Sequence, residues 1–163
     1  MTLFFPMRRC ASAVWEKVVA VDRQVIGKER IAMIRCVHLF TGDDGQSYFE
    51  EGQIDLPKGE RGDSLSAVAG AVSISFRETS EGGSFDWHEA PAHQFVLTLS
   101  GTLEFETRGG KRFQLSPGDV LWAEDTTGGG HRWRLIGSDP WRRAYVILAP
   151  NAEVLFVPAK AGN

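Results

Sequence analysis

Side chains that can bind a metal or move a proton are concentrated in two short stretches of this chain. His88, Glu89, His93 and Gln94 lie close together, and His131 follows a glycine-rich turn further along. Imidazole nitrogens and oxygen ligands brought together from separate strands are what a divalent metal or a proton-transfer site requires. The sequence therefore predicts a pocket for a small molecule around these residues.

Composition limits the classes of protein to which the chain can belong. Its 163 residues suit a single domain with a real core. A net charge of −3 and a pI near 5.8 argue against a nucleic-acid surface.

Cys10 and Cys36 have neither zinc-site nor disulfide-scaffold spacing, so we expect a reduced, cytoplasmic protein. Basic residues follow rather than precede the apolar run at 3–7, and no stretch approaches the roughly 20 apolar residues of a membrane span, so we expect neither a signal peptide nor membrane association.

The first part of the chain differs in character from the rest. Residues 1–32 hold an excess of basic residues, and almost all of the glycines lie after them. Valines recur at helical spacing, which predicts a short amphipathic helix over about 12–25, although the same residues could form a strand. We expect an N-terminal extension over 1–32, as a packed appendage, a dimer arm or a poorly ordered segment, and one domain over 33–163.

From residue 34 onward, short runs of β-forming residues alternate with turn signals. Many short strands at such spacing are typical of an all-β sandwich or barrel. We predict strands at about 34–40, 48–56, 71–77, 84–89, 93–100, 102–107, 111–115, 119–123, 131–136 and 142–149.

Strand alternation assigns the candidate residues to faces. Gln94, Val96 and Thr98 share one face of their strand, and His93 points the other way. We therefore expect Gln94 to face the pocket and His93 to face outward. His131 shares a face with Trp133 on a later strand.

These motifs resemble those of the cupin superfamily, in particular its small single-domain members. Gly83 precedes His88, six residues separate Gln94 from Gly101, and Gly118-Asp119 leads through a glycine-rich turn to His131. The phrases Leu-Ser-Gly-Thr-Leu-Glu-Phe-Glu and Leu-Ser-Pro-Gly-Asp-Val-Leu are also similar to cupin strand and turn segments. The resemblance covers about residues 70–149 well and 34–69 loosely. It implies an all-β, double-stranded β-helix, also called a jelly-roll barrel.

The resemblance also implies a metal site with a degenerate first motif. His88 stands at the first histidine and His131 at the last, but Ala90 replaces the second histidine and Gln94 replaces the glutamate. The implied ligands of a zinc, iron, nickel or manganese ion are thus His88, Gln94 and His131. Glu89 or His93 would add a ligand if the chain bulges at Ala90-Pro91. Small cupins commonly dimerise, so we expect a homodimer.

Each candidate also has a plainer explanation. His88 and His131 either ligate a metal or form hydrogen bonds in a metal-free pocket, and Gln94 either lines that pocket or is a buried amide. His38 is expected to be structural or exposed, and Glu124-Asp125 to form a turn. Trp87, Trp122 and Trp133 form either an aromatic wall or part of the core. The residues that we expect to line the pocket are Val96, Thr98, Trp122 and Trp133.

Two functions from different classes remain open. The first is a metal-dependent enzyme acting on a small organic molecule, as an oxygenase, isomerase, cyclase or lyase. The second is a metal-free or non-catalytic cupin that binds a small ligand in the barrel. The degenerate ligand set favours the second, and the retained histidine pair favours the first.

Overall fold

The computed structural model describes residues 33–154 and 156–160. The extension predicted over 1–32 and the helix predicted over 12–25 lie outside the described residues. The described part contains eleven strands and no helix, which confirms the all-β expectation. The strands are β1 Ile34–Thr41, β2 Ser47–Ile54, β3 Ala71–Thr79, β4 Ser84–His88, β5 Gln94–Ser100, β6 Thr102–Thr107, β7 Arg112–Leu115, β8 Val120–Ala123, β9 His131–Ile136, β10 Trp141–Leu148 and β11 Phe156–Pro158.

The strands form two sheets with a shared core. The large sheet has the order β11-β2-β1-β8-β5-β10-β3, and the small sheet has the order β4-β9-β6-β7. Neighbouring strands are antiparallel except for the parallel pair β1 and β8. The core takes side chains from both sheets, such as Val37, Leu121 and Val96 from the large one and Leu103 and Phe105 from the small one. This arrangement of two apposed sheets is the expected jelly roll.

Alternation explains why these segments form strands with one buried face. Along β6 and β7 the apolar residues Leu103, Phe105, Phe113 and Leu115 are buried, and the intervening polar residues point outward. All ten predicted strands occur within a few residues of their expected ends, and β11 was not predicted. No helix among the described residues is long and apolar enough to cross a membrane.

Candidate functional site

A cavity of about 660 Å³ opens between the two sheets. Its walls combine aromatic rings with polar side chains, a composition typical of a site for a small organic ligand. The polar residues that line it are Ser75, Arg77, Thr79, Ser84, His88, Glu89, Gln94, His131, Arg143 and Tyr145.

Two histidines meet on one wall of this cavity. His88, at the end of β4, and His131, at the start of β9, are directly opposite in the antiparallel register. Their ring centroids lie 4.3 Å apart, and the ring planes are inclined at 57°. The pairing of two strand ends therefore brings together residues that are distant in sequence.

A β-bulge in β4 sets the direction of the His88 side chain. The register shifts between Phe85 and His88, so the two intervening residues of β4 face a single residue of β9. In a regular strand Phe85 and His88 would point to opposite faces, whereas here both line the cavity. The irregularity that we considered at Ala90-Pro91 thus lies earlier, at residues 86–87.

His131 is held by a buried carboxylate. Its Nδ1 donates a hydrogen bond to Asp125 Oδ2 at 2.7 Å, and Ser47 Oγ donates to the same oxygen at 3.0 Å. Asp125 has no solvent exposure, and its Oδ1 has no hydrogen-bond partner among the described residues. This aspartate was predicted to form a turn, and the structure instead makes it the residue that positions His131.

His88 is held by the bulge itself. Its Nδ1 donates to the backbone carbonyl of Asp86 at 2.7 Å. Burial lowers the pKa of His88 from its ordinary value, although the hydrogen bond to Asp86 acts in the opposite direction. His88 is therefore favoured in its neutral form near pH 7.

The two hydrogen bonds determine the tautomer of both rings. A carbonyl and a carboxylate oxygen accept from Nδ1, so Nδ1 carries the proton and Nε2 keeps a lone pair in each neutral ring. Two such nitrogens on adjacent rings can accept protons from a ligand, and they can also bind a cation. The geometry supports both kinds of chemistry.

The chain approaches the histidine pair closely through a glycine. Gly130 has a φ of +68°, and a Cβ added to it would collide with the backbone carbonyl of His88. Only glycine combines this backbone conformation with this contact. Gly130 therefore allows β9 to begin directly against the end of β4.

Only some of the other residues that were predicted for the pocket line the cavity. Glu89, Gln94, Val96 and Trp133 line the cavity. Thr98 is buried on the same face of β5 but does not line it, which corrects our expectation.

Trp122 also has to be corrected. It alternates with Leu121 and Ala123, which line the cavity, so its ring lies on the opposite face of β8. There it stacks on His38, with centroids 3.8 Å apart. Trp122 is thus excluded from the pocket by the same alternation that places its neighbours there.

The remaining histidines lie on that opposite face. His93 Nδ1 is 3.2 Å from Glu124 Oε1, and His38 Nε2 is 2.7 Å from Glu124 Oε2. His93 therefore points away from the cavity. Trp87 is also absent from the cavity wall, and its ring packs against Arg108 and Arg132.

The donor set in the cavity fits a divalent metal poorly. Within the described residues, no group of three or more His, Cys, Asp or Glu side chains could hold one. The residues predicted from the sequence amount to two neutral imidazoles and the neutral amide of Gln94. None of these three ligands is anionic, since Gln94 replaces the glutamate of the motif. Glu89 lines the cavity but does not form a metal-binding group with the two histidines, and the carboxylate of Asp125 is hydrogen-bonded to His131.

Comparison with known proteins identifies the fold family. The sequence matches the family description "Cupin domain" over residues 76–147. No curated protein matches the chain. Among solved structures, a DUF861 family protein from Thermotoga maritima is 25% identical over 44% of this chain and 74% of that one, with a TM-score of 0.37. The match to the cupin description spans β4 to β10 almost entirely and includes both histidines of the cavity. Residues 76–147 therefore form a cupin domain, and this part of the chain belongs to the cupin superfamily.

Proposed function

We propose that the barrel binds a small organic molecule and acts on it by proton transfer at His88 and His131. One observation carries this proposal: the two rings lie 4.3 Å apart in the cavity, and each has its Nδ1 hydrogen-bonded to a fixed acceptor. Fixed tautomers place a lone pair on Nε2 of both rings, which is the arrangement that a general base needs.

The two histidines have different roles in this reaction. Asp125 stabilises the positive charge that develops when His131 takes a proton, so His131 is the base. His88, kept neutral by burial, accepts a hydrogen bond from the ligand or relays the proton to a second atom of it. A proton removed from one carbon and returned to another gives an isomerisation without any co-reactant.

Deuterium exchange tests this function. The protein is incubated in D₂O with a panel of small ketones, hydroxyketones and unsaturated carboxylic acids, and exchange at carbon is followed by proton NMR. We expect exchange above the buffer rate with at least one compound. His88→Ala and His131→Ala should each lose it, and His93→Ala, on the opposite face, should retain it. Wild-type exchange at the buffer rate for every compound would overturn the proposal, and binding without exchange would identify a non-catalytic ligand binder.

A metal-dependent enzyme is the second candidate. It is favoured by the Asp125–His131 hydrogen bond, because metal-bound imidazoles usually donate their other N–H to a carboxylate or carbonyl. His88, His131 and Gln94 would hold the zinc, iron, nickel or manganese ion. We place this function second because the donor set lacks an anionic ligand.

We also propose that the protein forms a homodimer through β3. Among the described residues this strand ends the large sheet, and Val72, Ile74 and Phe76 on one of its faces are 67%, 58% and 70% exposed. Unpaired edges with apolar side chains favour association, and an antiparallel pair of identical edges is self-complementary. Sedimentation should give twice the chain mass for the wild type and the chain mass for Ile74→Lys/Phe76→Lys. A monomeric wild type would rule this out.

A cytoplasmic location is a further part of the proposal. It is supported by Cys36, a buried free thiol whose pKa is raised by burial to about 12. Such a thiol is unreactive and is compatible with a reducing compartment.

A further inference from the structure

A buried arginine lies in the wall of the cavity that is formed by the large sheet. Arg143 on β10 is only 4% exposed and lines the cavity together with the histidine pair. Its guanidinium carbon lies 3.7 Å from the centroid of the Trp141 ring. Arginine is rarely buried unless its charge is paired, so its surroundings are informative.

The hydrogen bonds of Arg143 go to neutral oxygens. Nε donates to the Tyr145 hydroxyl at 3.1 Å, and Nη1 donates to Thr79 Oγ1 at 2.7 Å and to the carbonyl of Trp141 at 3.3 Å. Within residues 33–154 and 156–160, its guanidinium forms no ion pair with a carboxylate. These contacts and the aromatic rings hold the side chain in place, but no anionic group neutralises its charge among the described residues. A guanidinium has five N–H donors, so capacity for a ligand remains.

A second arginine lies directly across the strand pair. Arg77 on β3 is opposite Arg143 in the register, lines the same cavity, and also lacks a carboxylate partner in the described part of the chain. Like charges at directly opposite positions destabilise a sheet. On the other face of the same strands, Arg142 is paired with Glu78, Nε to Oε2 at 2.6 Å. The sheet thus neutralises the outward arginine and leaves the two that face the cavity unpaired.

We propose that Arg143 and Arg77 form a subsite for an oxyanion group, a carboxylate or a phosphate, on a small planar ligand. The guanidinium fork matches the geometry of either group, and an anion would relieve both the buried charge and the repulsion between the two arginines. The rings of Trp141 and Trp133, with centroids 4.9 Å apart, flank the subsite, and the partly exposed Trp133 provides a surface for the rest of the ligand.

This inference names the ligand class of the proposed function and rests on it for the reaction that follows binding. The oxyanion would be held by the large sheet, while the small sheet supplies His88 and His131. A small acid with a reactive carbon beyond its anionic group would then reach from one wall toward the other.

Isothermal titration calorimetry with three probes of similar shape tests the subsite. Benzoate and phenyl phosphate carry the two oxyanions, and benzamide is the neutral counterpart of benzoate. We expect at least one anion to bind roughly tenfold or more tightly than benzamide, because a buried charge pair forms only with the anion. The tighter of the two anions identifies the natural group. Binding of neither anion, or binding no tighter than that of benzamide, would overturn the proposal.

Substitutions of single arginines identify the residues that bind the anion. Arg143→Met should weaken anion binding by roughly tenfold or more while changing benzamide binding little, and Arg77→Met, at the exposed rim, should have a smaller effect in the same direction. Arg142→Met, which removes an arginine from the opposite face, is the matched control and should bind as the wild type does. Equal effects at Arg142 and Arg143 would refute the assignment. If Arg143→Met fails to fold, Arg143→Lys and Arg77→Met carry the test, since lysine keeps the charge but not the fork.

The same measurements separate this inference from the proton-transfer function. His131→Ala should lose deuterium exchange but keep tight binding of the anion. Anion binding in a protein that exchanges no deuterium would refute only the proton-transfer role. Exchange of a carboxylic acid that persists at the wild-type rate in Arg143→Met would refute only the oxyanion subsite.

Discussion

Asp125 and His131 lie side by side in the interior, with Asp125 Oδ2 2.7 Å from His131 Nδ1. The aspartate is fully buried, and Ser47 supplies its only other side-chain hydrogen bond among the described residues. A buried carboxylate behind a histidine fixes both the ring orientation and the position of its proton. The proton transfer that we propose for the cavity would therefore depend on a residue that does not itself line it.

Replacing Asp125 by Asn should separate positioning from folding. The amide of Asn can accept from His131 Nδ1–H through its oxygen or donate to an unprotonated Nδ1 through its NH2, so it no longer fixes one tautomer. It also carries no charge to stabilise an imidazolium, so the rate of deuterium exchange should fall at least about tenfold. Imidazole nitrogen–proton NMR should show one tautomer of His131 in the wild type and a mixture in the variant. Glu124→Gln alters the neighbouring carboxylate on the opposite face and is the control. An unchanged tautomer and rate in Asp125→Asn would show that the aspartate has no positioning role.

The pKa of His88 gives a prediction about pH. Burial lowers this pKa, so an NMR titration of His88 should have its midpoint below about 6.5, the value of an unperturbed histidine. At a pH between the pKa of His88 in the folded protein and its pKa in the unfolded chain, the unfolded chain binds more protons than the folded one. The free energy of unfolding therefore falls as the pH falls through this range. The wild type should therefore lose more of this free energy between pH 7 and pH 5 than His88→Gln. A steeper loss in the variant would contradict the sign.

The fold was predictable because each strand carries its own local signal. Alternating apolar residues and glycine-rich turns located ten strands, and the two motifs with His88 and His131 indicated the jelly roll. The strand β11 has only three residues, Phe156–Pro158, and depends on pairing with β2 rather than on a pattern of its own. Pairing of that kind cannot be inferred from a short segment alone.

The site was predictable only in part, since side-chain direction depends on tertiary structure. Asp125 follows the end of β8 and resembles a turn residue in sequence, yet the chain there places it against His131. Trp122 was assigned to the pocket although its alternation with Leu121 and Ala123 excluded it. Arg143 was missed because a charged residue is not expected on an inward face. The alternation of Trp141, Arg143 and Tyr145 was the signal that could have located it.

The glycine before His131 should be intolerant of substitution. Gly130→Ala must adopt a positive φ and place a Cβ against the His88 carbonyl, so we expect the free energy of unfolding to fall by about 2 kcal/mol or more. Gly110→Ala has a similar φ of +76° but nothing within 4 Å of its Cβ, and it should cost only about 1 kcal/mol. Denaturant unfolding of both variants measures the difference. Equal losses would mean that the contact with His88 has no energetic weight.

Gln94→Glu distinguishes the two candidate functions. Gln94 is 4% exposed and lines the same cavity as the two histidines, so a carboxylate there would supply the anionic oxygen that the three implied ligands lack. Coulomb attraction at nearly unchanged volume should raise the retention of zinc, iron, nickel or manganese above that of the wild type after equal dialysis. Elemental analysis of metal per chain is the measurement. Gln114→Glu, on an exposed position of β7, adds the same charge outside the cavity and should leave metal content unchanged.

A wild-type protein that already holds one metal per chain, and loses it in His88→Ala and His131→Ala but not in His93→Ala, would reverse our order of the two functions. Neutral ligands would then suffice in this barrel, and the buried Asp125 behind His131 would be the source of the missing negative charge.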